Sequence, residues 1–326
     1  MPKISSTFAI PAALLALGLI PVPAQAQLAR TFVSSAGSDA NDCNRFTPCR
    51  TFQRAHDNTL ANGAITVLDP GGYGAVFLLK SISITNDGVG EAGVLVSGAV
   101  NGITINAAPG DAINLRGLTI KGIGFGGGNG IVFNSGRSVT VENCAIRNLT
   151  GTDLSISGIG FLFRPDASAS TNSRLAMSST VIADNQSDGI IIQPRGTGTV
   201  TATLNRVELY SNNVAVDVEP FNNLVSTRIT VTDSVVAGNF AGFDVGVPGG
   251  AGATSSLTVI RSVVADNTLG LVAHGVNAAL RIGLSAVAGN GTTWSTDGGA
   301  LLQSFGDNYI AGNGDNDPAP PTIARK

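Results

Sequence analysis

One short phrase keeps returning through the second half of this chain. It reads Val181-Ile182-Ala183-Asp184-Asn185, then Glu208-Leu209-Tyr210-Ser211-Asn212, then Val235-Val236-Ala237-Gly238-Asn239. It continues as Val263-Val264-Ala265-Asp266-Asn267, Ala286-Val287-Ala288-Gly289-Asn290 and Tyr309-Ile310-Ala311-Gly312-Asn313. The closing asparagines stand 27, 27, 28, 23 and 23 residues apart. A period in that range marks a solenoid, whose units are too short to bury an apolar side alone and do so by stacking.

Aligning the units on asparagine gives an aliphatic column of Ile182, Leu209, Val236, Val264, Val287 and Ile310, which must face inward. Two residues earlier stands a mostly small column: Thr180, Val207, Ser234, Ser262, Ser285 and Asn308. The flanking segments alternate at strand period with β-branched residues, as in Ile229-Thr230-Val231-Thr232. No Leu-rich helix follows each strand, which excludes leucine-rich, ankyrin and tetratricopeptide repeats. One coil per ~25 residues of short strands and irregular turns predicts a parallel β-helix.

The repeat and its asparagine column resemble the right-handed parallel β-helix proteins of the pectin-lyase-like group, over about Ile65 to Asn313. The resemblance implies an all-β, single-stranded, right-handed solenoid and an asparagine ladder at one turn. The expected layout is a signal peptide at 1–26, an N-terminal cap at 27–64, a parallel β-helix at 65–314 and a flexible tail at 315–326. The leader reading rests on Lys3, the apolar run Phe8 to Ile20 and the small-x-small site Ala24-Gln25-Ala26. That run is short for a membrane span, and no later stretch is long enough. The expected address is therefore secreted or periplasmic. In the cap, Phe52, Ala55, Thr59 and Leu60 recur at helical spacing, with Thr51 as N-cap and Asn62-Gly63 as stop. This helix would cover the open end of the first coil, with His56 on its surface.

Charge is sparse, with a net of −3 and no Lys/Arg cluster, so nucleic acid is not an expected partner. In an exported chain Cys43 and Cys49 read as a disulfide; two thiols without neighbouring ligands make a poor metal site. Cys144 falls in the small inward column and reads as a buried thiol.

Function on such a scaffold lies in outward side chains. Rows after each asparagine are Gly160-Phe161-Leu162-Phe163, Gly189-Ile190-Ile191-Ile192, Val216-Asp217-Val218-Glu219, Phe243-Asp244-Val245-Gly246 and Leu271-Val272-Ala273-His274. Taking Leu162, Ile191, Val218, Val245 and Ala273 as inward sends their neighbours outward. Asp217, Glu219 and Asp244 then crowd one patch, His274 stands at its edge, and Phe161 and Phe163 form an apolar strip beside it. Aromatic rings beside carboxylates suit a sugar chain, through ring-face contacts, hydroxyl hydrogen bonds or acid/base work.

The expected partner is a polysaccharide or cell-surface glycan bound by a monomer that needs no cofactor. The alternative is a polysaccharide lyase or glycoside hydrolase, with calcium as a possible cofactor in the lyase case. The resemblance gives that alternative little: Ala273-His274-Gly275 and Arg281-Ile282-Gly283 echo polygalacturonase-like motifs faintly, and the two acidic motifs are missing. A pectate-lyase-like arginine base has only Arg195 and Arg228 as loop candidates.

Overall fold

The computed structural model describes residues 27–124, 126–153, 156–167, 172–222, 224–247 and 252–324. The leader reading at 1–26 falls outside them. Three parallel sheets of eleven, ten and nine strands, here sheets I, II and III, wrap one continuous core. The chain visits them in order once per coil. Gly198–Asn205 lies in sheet I, Glu208–Tyr210 in sheet II and Val214–Val218 in sheet III, before Val225–Thr232 returns to sheet I. This is the expected parallel β-solenoid.

The inward column holds. Ile182, Leu209, Val236, Val264, Val287 and Ile310 pair in register across six coils. All but the last are fully buried. Two bends per coil need left-handed backbone. Asp233 and Arg261 take it before sheet II (φ 53 and 49), and Asp184 and Gly238 take it after (φ 58 and 68). Non-glycine residues in this region cost about 1–3 kcal/mol each, so each bend requires compensation from its surroundings.

Two side-chain ladders supply that compensation. In the small column Val207 N donates to Ser234 Oγ, Ser234 N to Ser262 Oγ, Ser262 N to Ser285 Oγ and Ser285 N to Asn308 Oδ1, at 3.0–3.2 Å. Cys144 occupies this column as expected; burial raises its thiol pKa to about 11. At the second bend each asparagine donates from Nδ2 to the Oδ1 of the next, from Asn185 through Asn290 to Asn313, at 2.9–3.1 Å. Each backbone N–H in that run reaches the same Oδ1. From Asn212 onward Nδ2 also donates back to a carbonyl of the preceding coil, as Asn239 does to Leu209 O at 3.2 Å. Buried amides are thus satisfied on all sides.

Three local readings need correction. The helix runs only Phe52–Asn58; Thr51 caps it, accepting from Arg54 N at 3.2 Å, but Thr59 already begins the strand Thr59–Val67. Its apolar face packs against the strands Leu28–Val33 and Thr59–Val67, so sheet I starts before the helix. His56 is buried, not on the surface. Its Nε2 accepts from Leu79 N at 3.2 Å and its Nδ1 faces Asp57 at 3.1 Å, a bridge tying the helix to the next coil. The described part of the expected tail, 315–324, is held by hydrogen bonds rather than loose. Asp317 Oδ1 accepts from Asn313 N and Nδ2 at 2.7 Å, ending the ladder with a carboxylate. Asp315 accepts from Thr293, Trp294 Nε1 donates to Pro318 O, and Pro321 to Ile323 run beside Ser304. Cys43 and Cys49 are bonded, with Cα atoms 4.6 Å apart.

Candidate functional site

Sheet III presents the acidic patch. Asp217 and Asp244 are register partners on adjacent strands, flanked by inward Val216 and Val218, and Phe243 and Val245. Alternation sends both carboxylates outward. Glu219 follows Asp217, and Gly246 occupies the corresponding place one coil on. Gly246 has no side chain, and a Cβ there would find nothing nearer than 3.9 Å. That gap opens a hollow of about 330 Å³ lined by Asp217, Glu219, Asp244, Gly246, Val247 and His274.

His274 joins the patch through two carboxylates. Its Nε2 lies 3.2 Å from Asp244 Oδ1, and its Nδ1 lies 2.8 Å from Asp297 Oδ2 on the next coil. Burial opposes its charge, but the Asp297 hydrogen bond and Asp244 outweigh that and raise its pKa. Asp188 adds a fifth carboxylate. It is buried and accepts from Val214 N at 2.8 Å and Asn213 Nδ2 at 3.0 Å. Burial raises its pKa in spite of those bonds.

Asp217 is the most perturbed group. Burial first, and then the charges of Asp188, Asp244 and Glu219, push it well above the usual carboxylate range. Glu219 and Asp244 are raised too, mainly by burial, with His274 pulling both down. Burial and mutual repulsion thus act in the same direction on Asp188, Asp217, Glu219 and Asp244, each opposing the charged form. Among the described residues no three His, Cys, Asp or Glu side chains are disposed to hold a metal ion.

These shifts fix a pH dependence. A raised carboxylate pKa means the folded chain keeps a proton the unfolded chain has lost, so stability falls as pH climbs out of the ordinary Asp range. His274 acts in the same sense: its contribution is full below its unfolded value of 6.5 and is lost as pH rises through its higher folded pKa. Asp217→Asn is expected to raise the melting temperature near neutral pH by roughly 2 °C, the response to about 1 kcal/mol at this chain length. The gain should vanish near pH 4. Melting curves across pH check it, and a variant less stable than wild type at pH 7 would contradict the crowding.

Phe161 and Phe163 are not part of the patch. Both are fully buried, Phe163 against Phe133 with centroids 4.7 Å apart. Phe161 pairs with Ile190, and Ile190 with Val216, so the first two rows sit one residue out from the expected phase. Asn185 to Ile190 is five residues, whereas Asn212 to Val216 is four; the extra residue lies in the bend around Asp188. A one-residue slip exchanges the faces of a strand. Leu162 and Ile191 therefore face outward, beside Val132, and close with Ile159 into a small separate apolar cluster.

Asp188 and Asp297 escaped the sequence reading. Asp297 would follow from continuing the His274 column one coil further. Asp188 sits in the bend, which strand alternation does not phase. A larger hollow of about 720 Å³ lies on sheet II, lined by Leu95, Lys121, Asn148 and Gln186 among others. It gathers no comparable set of mutually perturbed groups, so the sheet III hollow is the better candidate.

No protein-family model matches the chain, and no curated protein matches it. Solved structures do. Pectate lyase Pel9A aligns at 14% identity over 91% of this chain and 78% of its own, with a TM-score of 0.64. The A-module of mannuronan C-5 epimerase AlgE6 from Azotobacter vinelandii aligns at 17% identity over 80% of this chain and 70% of its own, with a TM-score of 0.56. Likeness at this level shows a shared parallel β-helix fold.

Proposed function

We propose that this is an exported polysaccharide-binding protein whose site is the carboxylate hollow on sheet III. The observation that carries the reading is the convergence of Asp217, Glu219, Asp244 and His274 on one cavity whose floor is opened by Gly246. The carboxylate oxygens accept hydrogen bonds from sugar hydroxyls, and a carboxyl that holds its proton donates one in return. A sugar chain meets such groups repeatedly if it runs across the coils, which stack at ~4.8 Å. Support for the class comes from the fold, shared with a pectate lyase and a mannuronan epimerase. The Cys43–Cys49 disulfide fits an exported chain. No helix among the described residues is long and apolar enough to cross a membrane.

The second reading, a lyase or hydrolase, is favoured by one observation. A carboxyl whose pKa is raised, lining one hollow with a histidine flanked by two carboxylates, is an acid/base arrangement. A glycan array, run beside an assay for the absorbance of unsaturated lyase products and for reducing ends, separates the two. Each would be done with and without calcium. The variant Asp217→Asn with Asp244→Asn is expected to fold and to lose glycan binding by about tenfold or more, as loss of charged hydrogen-bond acceptors implies. Unchanged binding in the folded double variant would leave the patch as solvated surface. Turnover in wild type that the variant lacks would favour the enzyme.

A further inference from the structure

The helix Phe52–Asn58 lies along a sheet edge and does there what another strand would do. Val76–Leu78 is the outermost strand of sheet III at this end of the solenoid. Val76 spends its N–H on Gly102 O in the next coil, at 3.0 Å. Phe77 and Leu79 point theirs to the other side, toward the helix, and two helix side chains take them. Gln53 Oε1 accepts from Phe77 N at 2.8 Å, and His56 Nε2 accepts from Leu79 N at 3.2 Å. One carboxylate oxygen stands behind both acceptors. Asp57 Oδ1 accepts from Gln53 Nε2 at 3.0 Å and faces His56 Nδ1 at 3.1 Å. The Phe77 and Leu79 side chains are 50% and 55% exposed, so this edge lies at the surface.

The closure works with only one protonation state of His56. Leu79 N–H needs an acceptor at Nε2, so the ring proton sits on Nδ1, directed at Asp57. A second proton turns Nε2 into a donor facing a donor, and the bond to Leu79 is lost. Burial holds the folded pKa of His56 below its ordinary 6.5. The bond is therefore intact above that value and is lost as pH falls through the lower folded one. Charged neighbours are few. Asp57 favours the ring's charge, and Lys80, just past the edge strand, opposes it. Leu28–Val33 adds the exposed Arg30 and the helix itself adds Arg54, while Thr59–Val67 and Val76–Leu78 carry no ionisable side chain. The opposite end of the solenoid behaves differently. There the closing group is Asp317, whose pKa the Asn313 backbone N–H holds below the ordinary carboxylate value. Mild acid thus acts on the N-terminal closure and spares the C-terminal one.

We propose that Gln53 and His56 form a proton-operated latch: at neutral pH they close the sheet III edge at Phe77 and Leu79, and protonation of His56 releases the helix from that edge and lays its backbone groups open. The latch is independent of the polysaccharide reading above.

Residue-resolved amide exchange tests it, followed by NMR from about pH 7.5 to about pH 4.5 and corrected for the intrinsic dependence of exchange on pH. Leu79 N should lose protection by about tenfold over this range, the equivalent of one hydrogen bond lost, with Phe77 N following it. Val76 N and Asn313 N should keep theirs. His56→Gln, which offers an acceptor that does not titrate, should hold Leu79 N protected throughout, and His56→Ala should leave it exposed throughout. Asp57→Asn should move the midpoint to lower pH and Lys80→Gln should move it higher, because the first group favours and the second opposes the ring's charge. Leu79 protection that stays flat in wild type, falls equally in His56→Gln, or falls together with that of Asn313 would overturn the latch.

Discussion

Val236→Asp is expected to destabilise the solenoid by about 5 kcal/mol, because an unpaired charge placed in a core of this kind has no partner and no water. Val236 is fully buried between Leu209 and Val264, its register partners on either side. Removing its methyl groups adds a smaller packing loss. The control is Thr232→Asp four residues earlier, on an outward position whose hydroxyl accepts only from Asn205 Nδ2 at 2.8 Å. That change should stay within about 1 kcal/mol, as surface substitutions do. Denaturant midpoints of the two variants decide the matter. Equal midpoints would mean that the inward column is wrongly assigned.

Asn239→Ala is expected to cost about 3–4 kcal/mol, more than its small volume change suggests. Asn239 Oδ1 accepts from Asn212 N at 2.9 Å and from Asn212 Nδ2 at 3.1 Å. Its own Nδ2 donates to Leu209 O, Ala237 O and Asn267 Oδ1. Alanine strands donors above and acceptors below in a place where water does not reach, at about 1–3 kcal/mol for each group left bare. Asn114→Ala, which removes only an exposed bond to Ser83, should change stability by less than about 0.5 kcal/mol. If both alanine variants melt together, the buried ladder contributes nothing particular.

The two columns behind these predictions were both legible in the sequence, for one physical reason. A stacked coil repeats its bends at fixed places, so the residue that satisfies a bend recurs at the coil period, and asparagine is too specific a choice to recur by chance six times. Phase within sheet III was legible only where polar and apolar residues alternate. Asp217 and Asp244 declare their face because a carboxylate is not left in an aliphatic core. Phe161-Leu162-Phe163 and Ile190-Ile191-Ile192 declare nothing, since both faces there are apolar, and one extra residue in the bend moved them unseen. His56 was misplaced because helical periodicity ranks it with polar residues. Its burial follows from an acceptor demand, the Leu79 N–H of the neighbouring coil, which lies 23 residues away in sequence. Burial also lowers the His56 pKa. Its contribution to stability is therefore present above pH 6.5 and fades as pH falls below that, opposite in sense to His274.

The way the ladder stops matters beyond the last coil. Sheets I, II and III reach their last strands at that end: Leu301–Ser304, Tyr309–Ala311 and Thr292–Asp297. An unfinished parallel solenoid is a template for its own kind. Its free edges, with one amide still offering a proton, would accept the first coil of another copy and then another, as fibre-forming strands do. Asp317 takes that proton with a group that has none of its own to pass on, and Pro318, Pro320 and Pro321 lay a backbone without N–H groups along the edge. The closing segment therefore covers this end of the solenoid with a backbone that has few N–H groups left to offer a further strand.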